Sequence, residues 1–596
     1  MANVSPGVYT QIIDLSEYIQ NVPSTIGFIP IISEKGPDNE LIFTNSRDYF
    51  KDFGEPNILY AGQSFSQGGY IASNFLRESD SLFVIRCTPP DAQFSNLIIT
   101  VDNNYQDSTA NVYVHAKDNL SFQSQLDTVL QTQDVSWEDT ENTAIIFYGV
   151  GRGAYYNKYL LKLSQHLNPR VAQEGIYLLD IYVRQTTIDP TSSTLDYTYG
   201  LAMTLEVAFD PTQLDAQGES IWIEDVVNRY FREIKCKANA DLCSTLSNLW
   251  RDGTLTIDWS EPFNAEDATV VSPDGDEINA IALQYGDDGT LFDVNGKVDP
   301  DVAVEILTDA YRGELPKNTK FSPYEYVTEV LDTENHYFTI VLDGGYLSGA
   351  IKAACVDLVR TRRDCMAFID NFDNTTANEA LKRRDGTHVQ SLNRTFSFNT
   401  KYAALYEGYS KIYDNYTGRY IWVSPIYHMA KIIPYTDNIS EIWYAPAGFN
   451  RATIGEIVEL RYSPLLGERD NFYLAQINPI VKFAVGYTVF GQLTTQRRPS
   501  ALQDVNIMRL ILYIKRALEQ FCKYYIFELN DQGTWSQISN NISKFLKIIQ
   551  NKRGLYNFSV EVGATDYEIK QKQVHCNVTL NPTRIIEQIH LRFYII

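Results

Sequence analysis

Two helices are predicted in the last third of the chain from the spacing of its apolar positions. Between residues 502 and 521 apolar side chains recur every three or four positions, which is the period of one helix face. The same spacing returns between residues 538 and 549. Thr534 or Ser536 can cap this second helix, and Gly554 is predicted to end it.

Period-two alternation replaces the helical period after these helices and predicts two strands. Their apolar positions alternate with polar ones, so each strand has one face to bury. The last apolar position lies at the end of the sequence, and we expect this strand to need a sheet to join. The apolar positions are Val574, Cys576, Val578 and Leu580 in the first strand, and Ile589, Leu591, Phe593 and Ile595 in the second.

The first 22 residues contain little material for a core. A short strand-like stretch is framed by Pro6 and Pro23, which predicts an extended arm rather than a domain. The start has no basic region and no apolar run, so no signal peptide is predicted and we expect synthesis in a cytoplasm. The apolar positions of this arm are Val8, Tyr9, Ile12 and Ile13.

The region between the arm and residue 371 alternates between helical and strand patterns, with a long β-rich stretch between them. An α+β, multidomain fold is therefore predicted. The predicted elements are a strand at 26–32, a turn at 35–37, a helix from Ser46, a strand at 82–86, β structure over 95–265, a helix at 349–362 and a strand at 365–370.

Composition describes a globular chain of several domains. Its 596 residues are 44% hydrophobic and 21% charged, and this length predicts roughly four domains. No apolar run approaches the ~18 residues that span a bilayer, so membrane insertion is not expected. The 40 Tyr residues suit surfaces that become half-buried at contacts.

Charge is distributed unevenly along the chain. The net charge is −24. Residues 401–596 hold 22 Lys and Arg against 16 Asp and Glu, a net of +6, which leaves 28 against 58, a net of −30, for residues 1–400. So acidic a chain is a poor partner for free nucleic acid. The split predicts that the two regions face different surroundings.

No catalytic, cofactor-binding or metal-binding residues are predicted. Seven cysteines form no C-x-x-C pair, and with seven scattered histidines they offer no zinc spacing. The acidic stretch around Asp274 lacks the spacing of a calcium loop, so a solvated loop is expected. No Ser/His/Asp set emerges from the order of residues either.

One glycine loop resembles a dinucleotide-binding fingerprint. Gly149, Gly151 and Ala154 follow an apolar run, and Asp180 lies in a later one. That fingerprint requires a helix to begin at the third small residue, yet residues 159–163 alternate as a strand does. We therefore predict strand, loop, strand, turn, strand. A nucleotide-binding enzyme using loop 149–154 remains a remote alternative.

Eight motifs, in order along the chain, resemble the sheath proteins of contractile phage tails. The resemblance is strong after residue 400 and weak between 90 and 265. Two departures are Leu529, where the family usually has proline, and Tyr156, where glycine is frequent. The motifs include SPGVY (5–9), IISEKGP (31–37), GRGAYYN (151–157), LQYGDDG (283–289), RTRRDCMAFID (360–370), EIWYAPAGFNRATI (441–454), LAQINPIVKF (474–483) and LNPTRIIEQIHLRF (580–593), and the segment 505–535 contains Arg509, Phe527-Glu528-Leu529-Asn530 and Trp535.

The resemblance implies a structural role without catalysis or cofactor. Subunits of such sheaths form stacked hexameric rings around a tail tube, linked by terminal arms that add strands to a neighbour's sheet. The implied partners are the chain itself, the tail tube protein, and baseplate and tail terminator proteins. The implied place is the virion, with assembly in the bacterial host cytoplasm. The sheath of a phage-derived bacteriocin or an extracellular contractile injection system is an open alternative.

The resemblance also implies a division of the chain. We expect linking arms at 1–22 and 585–596, a discontinuous α/β middle domain (23–90 with 270–395), a β-rich outer insertion (91–269) and a C-terminal sheath core (396–584) completed by neighbouring strands. The strand at 574–580 would receive those strands. The core should face the tube, and the acidic regions should face solvent. On the second helix, the open positions expected to contact the tube are Lys544, Lys547, Lys552 and Arg553.

Overall fold

The structure is a computed structural model, and it carries the α+β, multidomain fold that the patterns predict. The described residues are 25–102, 111–116, 142–188, 195–215, 217–251, 280–317, 325–386, 398–587 and 590–592.

A nine-stranded mixed sheet forms the body of the molecule, in the order β17-β20-β19-β14-β13-β12-β1-β3-β2. The six central strands are parallel, and antiparallel strands complete both edges. Parallel strands buried on both faces consist of nearly continuous apolar runs, as β1 and β13 do. The strands are β1 (Gly27–Ile31), β2 (Ile42–Thr44), β3 (Leu82–Arg86), β12 (Ile340–Leu342), β13 (Met366–Asp370), β14 (Ala403–Glu407), β17 (Thr453–Ile454), β19 (Ile477–Phe483) and β20 (Gly486–Val489).

Helices cover both faces of this sheet. Seven of them are α1 (Ser46–Phe53), α2 (Gly62–Phe65), α3 (Gln67–Phe75), α7 (Pro300–Arg312), α8 (Gly349–Arg362), α9 (Ala377–Asp385) and α10 (Pro425–Ile439). The remaining helices of the body and its C-terminal part are α11 (Leu466–Leu474), α12 (Val505–Lys523), α13 (Gln532–Asn551) and α14 (Asp566–Lys570). Helix α8 and strand β13 confirm the helix and strand predicted at 349–370.

Helix α12 contributes to the hydrophobic cores on both faces of the sheet. Met508 and Leu512 pack in the core that contains α3 and α10. Leu510 and Ile514 pack in the core that contains α7 and α8. The predicted helical stripe is therefore split between two cores.

A second lobe holds the β-rich stretch, with its own core. Its two four-stranded sheets have the orders β10-β6-β4-β5 and β11-β7-β8-β9. The elements are β4 (Asn96–Asp102), β5 (Asn111–His115), β6 (Asn142–Gly149), β7 (Tyr159–Gln165), α4 (Pro169–Gln173), β8 (Ile176–Ile188), β9 (Leu195–Ala208), α5 (Ile223–Tyr230), β10 (Ile234–Ala238), α6 (Ala240–Arg251) and β11 (Ile281–Ala282). Helices α5 and α6 are additions to the predicted pattern, and α4 stands where a turn is predicted.

Two of the proposed segment boundaries do not coincide with breaks in the fold. Strands β13 and β14 pair in parallel across the boundary at 395 and 396, so the middle and C-terminal segments share one sheet. Strand β11 pairs with β7, which extends the second lobe past residue 269. A parallel sheet joins strands that are distant in sequence, and local composition does not record that pairing.

The ends of α13 also differ from the prediction. Asp531, rather than Thr534 or Ser536, is the N-cap, because its carboxylate accepts a hydrogen bond from the backbone N–H of Thr534. At the other end the helix ends at Asn551, three residues before the predicted stop at Gly554, and Arg553 adopts a left-handed conformation (φ 67°). Gly554 serves close packing instead, since a Cβ there would lie 2.6 Å from Ile549 Cγ2.

Two small sheets complete the chain. The first joins β15 (Ser410–Asp414), β16 (Arg419–Val423) and β18 (Glu459–Leu460). The second pairs β21 (Leu555–Gly563) with β22 (His575–Pro582), which confirms the first predicted period-two strand. Residues 590–592 of the second predicted strand have no strand structure. Ile589, Phe593 and Ile595 lie outside the described residues.

Candidate functional site

The C-terminal hairpin of β21 and β22 is a sheet of only two strands. Its register pairs Val560 with Val578 and Phe558 with Leu580. These side chains are half-buried against the core beneath α13. The other two predicted receiving positions are more open: Cys576 is exposed, and Val574, just before the strand, is 42% exposed.

No third strand pairs with either long edge of this hairpin among the described residues. A two-stranded sheet alone is marginal in water, and unpaired strand edges are templates for further strands. The hairpin here is supported from one side by α13. Its edges remain open to strands from outside the described part of the chain.

The predicted linking arms are mostly beyond the described residues. Val8, Tyr9, Ile12 and Ile13 lie outside them, and of the predicted apolar positions of the C-terminal arm Leu591 alone is described, with 75% of its surface exposed.

The segment that leads from β22 towards the C-terminal arm is held on the body. Tyr473 Oη, on α11, donates to Glu587 Oε2 at 2.8 Å. Burial together with Glu587 raises the pKa of Asp504 to about 6. The first part of the arm therefore lies in an acidic contact near the start of α12.

The four predicted tube-facing residues are all exposed on α13 and the turn that follows it. Lys547 Nζ donates to Gln550 Oε1 at 2.9 Å. Lys552 Nζ lies 2.6 Å from Glu441 Oε1 in a surface ion pair. Lys544 and Arg553 complete the basic surface. Two of the four side chains lie on α13 and two in the turn after it, and Lys552 is already paired within the chain.

The glycine loop holds the second lobe to the body instead of forming a phosphate cradle. A 3₁₀ turn (Ala154–Lys158) and then β7 follow it, with no α-helix at the third small residue. Arg152, inside the loop, is buried and pairs with Asp38. Asp180 lies in the middle of β8, as predicted. The Tyr156 ring occupies the space beside Gly149, where a Cβ would lie 2.6 Å from it.

A Ser–His–Glu chain of hydrogen bonds exists that the sequence pattern did not reveal. Ser410 Oγ is 2.7 Å from His428 Nε2, and His428 Nδ1 is 3.3 Å from Glu456 Oε1. This is the order of groups in a nucleophile–base–acid triad. Ser410 and His428 are buried, however, and Ser410 lies on the central strand of its sheet. These hydrogen bonds connect β15 to α10, and Ser410 has no exposed surface for a substrate to reach.

A second buried polar cluster lies at the carboxyl ends of β12, β13 and β14. Lys352 Nζ is 2.6 Å from Asp343 Oδ2 and 2.8 Å from Asp370 Oδ1, with all three side chains fully buried. Burial raises the pKa of Asp343 to about 6, against the lowering effect of Lys352. Two carboxylates on one ammonium make an ion-paired group that fixes α8 to the sheet.

Glu407, at the end of β14, has no such cation in contact. Asn371 Nδ2 and Asn374 Nδ2 donate to its Oε2 at 2.9 and 2.8 Å, and Oε1 has no hydrogen-bond partner. Burial raises the pKa of Glu407 to about 8. At neutral pH this carboxyl is therefore mostly protonated.

Metal and membrane features are likewise missing from the described part of the chain. No group of three or more His, Cys, Asp or Glu side chains there is arranged to hold a metal ion. No described helix is both long and apolar enough to cross a bilayer.

The C-terminal part of the chain matches the model of a known protein family. Residues 497–596, which include α12, α13 and the open hairpin, match the family model of the phage tail sheath C-terminal domain. The resemblance to contractile tail sheath proteins is thereby confirmed.

Curated relatives carry the name tail sheath protein. That of Vibrio phage KVP40 is 30% identical over 284 residues, which cover 44% of this chain and 42% of the relative. That of Enterobacteria phage T4 is 28% identical over 257 residues, covering 41% and 39%. The chain thus matches about two fifths of the length of these relatives.

Two solved sheath tail proteins align along nearly the whole chain. The protein from Listeria innocua is 10% identical to this chain. The alignment covers 94% of this chain and 95% of that protein, with a TM-score of 0.49. The protein from Desulfitobacterium hafniense is 11% identical, and the alignment covers 98% of this chain and 99% of that protein, with a TM-score of 0.48.

Proposed function

We propose that this chain is a structural subunit of a contractile tail sheath and is not an enzyme. The observation that carries the proposal is the match of residues 497–596 to the phage tail sheath C-terminal domain. The chain polymerises as stacked hexameric rings around a tail tube and contracts to drive the tube through the host envelope. Its place is the virion, after synthesis and assembly in the host cytoplasm.

The linkage between subunits is strand addition at the C-terminal hairpin. An N-terminal arm (1–22) and a C-terminal arm (585–596) of neighbouring copies pair with the open edges of β21 and β22, so that backbone hydrogen bonds provide strength. The register is fixed by alternate side chains, which for the arms are the apolar positions predicted above. Among the residues that the structure describes, no third strand pairs with the hairpin, which supports this linkage.

The radial arrangement follows from charge. Residues 401–596 carry a net of +6 and residues 1–400 a net of −30. The C-terminal core with its basic α13 lies against the tail tube, and the acidic second lobe faces solvent. Baseplate and tail terminator proteins bind the ends of the array. No nucleic acid, cofactor or membrane insertion is part of this function.

The test is assembly of the purified full chain. Negative-stain microscopy of concentrated protein should show tubes, and truncations that remove residues 1–14 or 586–596 should leave folded monomers. Thermal unfolding of the truncated proteins provides the control for folding. If both truncations form tubes as the full chain does, the arms are not the links. A full chain that stays monomeric at every concentration contradicts the sheath function itself.

A sheath of a bacteriocin or an injection system would pass the same assembly test. The neighbouring genes distinguish a phage tail sheath from these alternatives, because capsid and terminase genes beside this gene indicate a virus.

A further inference from the structure

The connection between α12 and α13 displays apolar side chains to solvent. Of its first six residues, 524–529, four are large, apolar and exposed, and we name this segment the apolar loop. Single exposed apolar residues are ordinary, whereas a contiguous group marks a contact surface. The exposed fractions are 76% for Tyr524, 59% for Ile526, 103% for Phe527 and 75% for Leu529.

The apolar loop is fixed in place rather than free. Trp535 Nε1 donates to Asn530 Oδ1 at 2.8 Å, and Asn530 Nδ2 donates to the carbonyl of Gln573 at 2.9 Å. Phe527 itself has a left-handed backbone (φ 77°), which is unfavourable for a non-glycine residue. A strained and anchored loop that points a phenylalanine outward is organised for a contact before the contact forms.

The bond to Gln573 places the apolar loop at one end of the hairpin. Gln573 lies two residues before β22 begins. The connection from β21 to β22 exposes further apolar surface, with Tyr567 at 70%, Ile569 at 36% and Val574 at 42%. Exposed aromatic side chains offer on the order of 150–250 Å² each. The loop and this connection therefore add several hundred Å² of surface beside the open strand edges.

We propose that the apolar loop docks on a second copy of this chain, beside the strand pairing at the hairpin. This rests on the proposed sheath function. All the described strands already belong to sheets, so none of them is left to pair with β22, and in the proposed linkage the added strand belongs to another copy. Adjacent strands lie ~4.8 Å apart, and a strand beside β22 that continues past His575 reaches the loop. A stable interface buries about 800 Å² on each partner, and the apolar loop adds its exposed area to that of the strand edge.

The first test is a double substitution, Phe527→Ser with Leu529→Ser. Both side chains are exposed in the monomer, so the thermal unfolding of the monomer should stay unchanged. The concentration needed for assembly, measured by sedimentation velocity, should rise at least tenfold. The matched control is Leu167→Ser, an exposed leucine (89%) in the second lobe that should leave assembly unchanged.

The second test identifies the occupant directly. A benzophenone amino acid is placed at position 527 of the full chain, and equal amounts of ¹⁴N- and ¹⁵N-labelled protein are assembled and irradiated. Cross-linked peptides that combine both labels are expected. Cross-links within single copies only, or assembly by the double variant at the wild-type concentration, overturn the proposal while leaving the sheath function standing. A wild-type chain that never assembles overturns both.

Discussion

Arg152 and Asp38 form an ion pair 2.6 Å apart with both side chains buried, although 114 residues separate them in sequence. The backbone N–H of Arg152 also donates to Asp38, and its guanidinium donates to Thr88 and Pro89. Burial alone would raise the pKa of Asp38, but Arg152 and Arg86 more than offset this effect, so its pKa lies below the usual value. The glycine loop is thus bound to the body by charge.

Replacement of Arg152 by Met should lower the free energy of unfolding by about 3–5 kcal/mol, because the carboxylate of Asp38 is then left buried without its main partner. Urea unfolding monitored by tryptophan fluorescence measures the loss. Arg229→Met is the control, since Arg229 and Glu219 form an exposed pair whose removal costs about 0–1 kcal/mol. Equal losses in the two variants would show that the burial of the Arg152 pair is irrelevant.

The same loop depends on a glycine for close approach. At Gly151 a Cβ would lie 2.1 Å from the carbonyl oxygen of Gly36, which is backbone and cannot rotate away. Gly151→Ala should therefore cost about 1–3 kcal/mol through overpacking. Gly455→Ala is the control, because its Cβ would meet open space. If Gly151→Ala unfolds at the same urea concentration as wild type, the two segments do not approach in this way.

The buried Glu407 makes stability depend on pH in a defined direction. Its pKa is about 8 in the folded chain, above its ordinary value, so the unfolded state ionises first as pH rises. The contribution of Glu407 to the free energy of unfolding is therefore lost as the pH rises from about 4.5 to about 8. Glu407→Gln keeps the shape of the neutral acid and removes the ionisation.

Thermal unfolding of wild type and Glu407→Gln should be compared at pH 5 and pH 8. The variant should gain stability relative to wild type as the pH rises, since only wild type must bury or neutralise a charge. A constant difference between the two proteins across this range would mean that Glu407 titrates normally.

Charge reversal on α13 tests the proposed grip on the tube. Changing Lys544, Lys547 and Arg553 to Glu should weaken assembly around purified tubes at low salt, because exposed pairs of about 0–1 kcal/mol add up around a ring. Lys552 is left in place since it pairs with Glu441. Co-sedimentation with tubes measures assembly, and an unchanged unfolding temperature excludes misfolding. Wild-type co-sedimentation by the triple variant would mean that another surface holds the tube.

The local sequence pattern is sufficient to predict α8, α12 and β22, because the apolar residues that each element buries lie close together in sequence. The predicted N-cap of α13, Thr534 or Ser536, is wrong because Asp531 is an equally good capping residue. The local sequence does not show which of the three begins the helix, and in the structure it is Asp531. The glycine loop was interpreted correctly from the strand pattern that follows it. These are features that neighbouring residues determine.

Features that depend on distant residues were missed. Ser410, His428 and Glu456 stand 18 and 28 residues apart, on a strand, a helix and a loop, so no spacing indicates that they meet. The boundary at residue 395 does not coincide with a break in the fold, because α9 packs in the core and connects β13 to β14, and these two strands pair in parallel. The arms and the tube-facing residues stay predictions, since their partners are other chains.

The nine-stranded sheet has a mechanical consequence. Since β13 pairs with β14 and α12 packs into the cores on both faces, no flexible joint separates residues 25–86 from the C-terminal helices. Packed interiors have low compressibility and transmit strain. In the proposed sheath, a pull applied at the hairpin would therefore be transmitted through the body to the far edge of the nine-stranded sheet, and this body would move as one stiff lever.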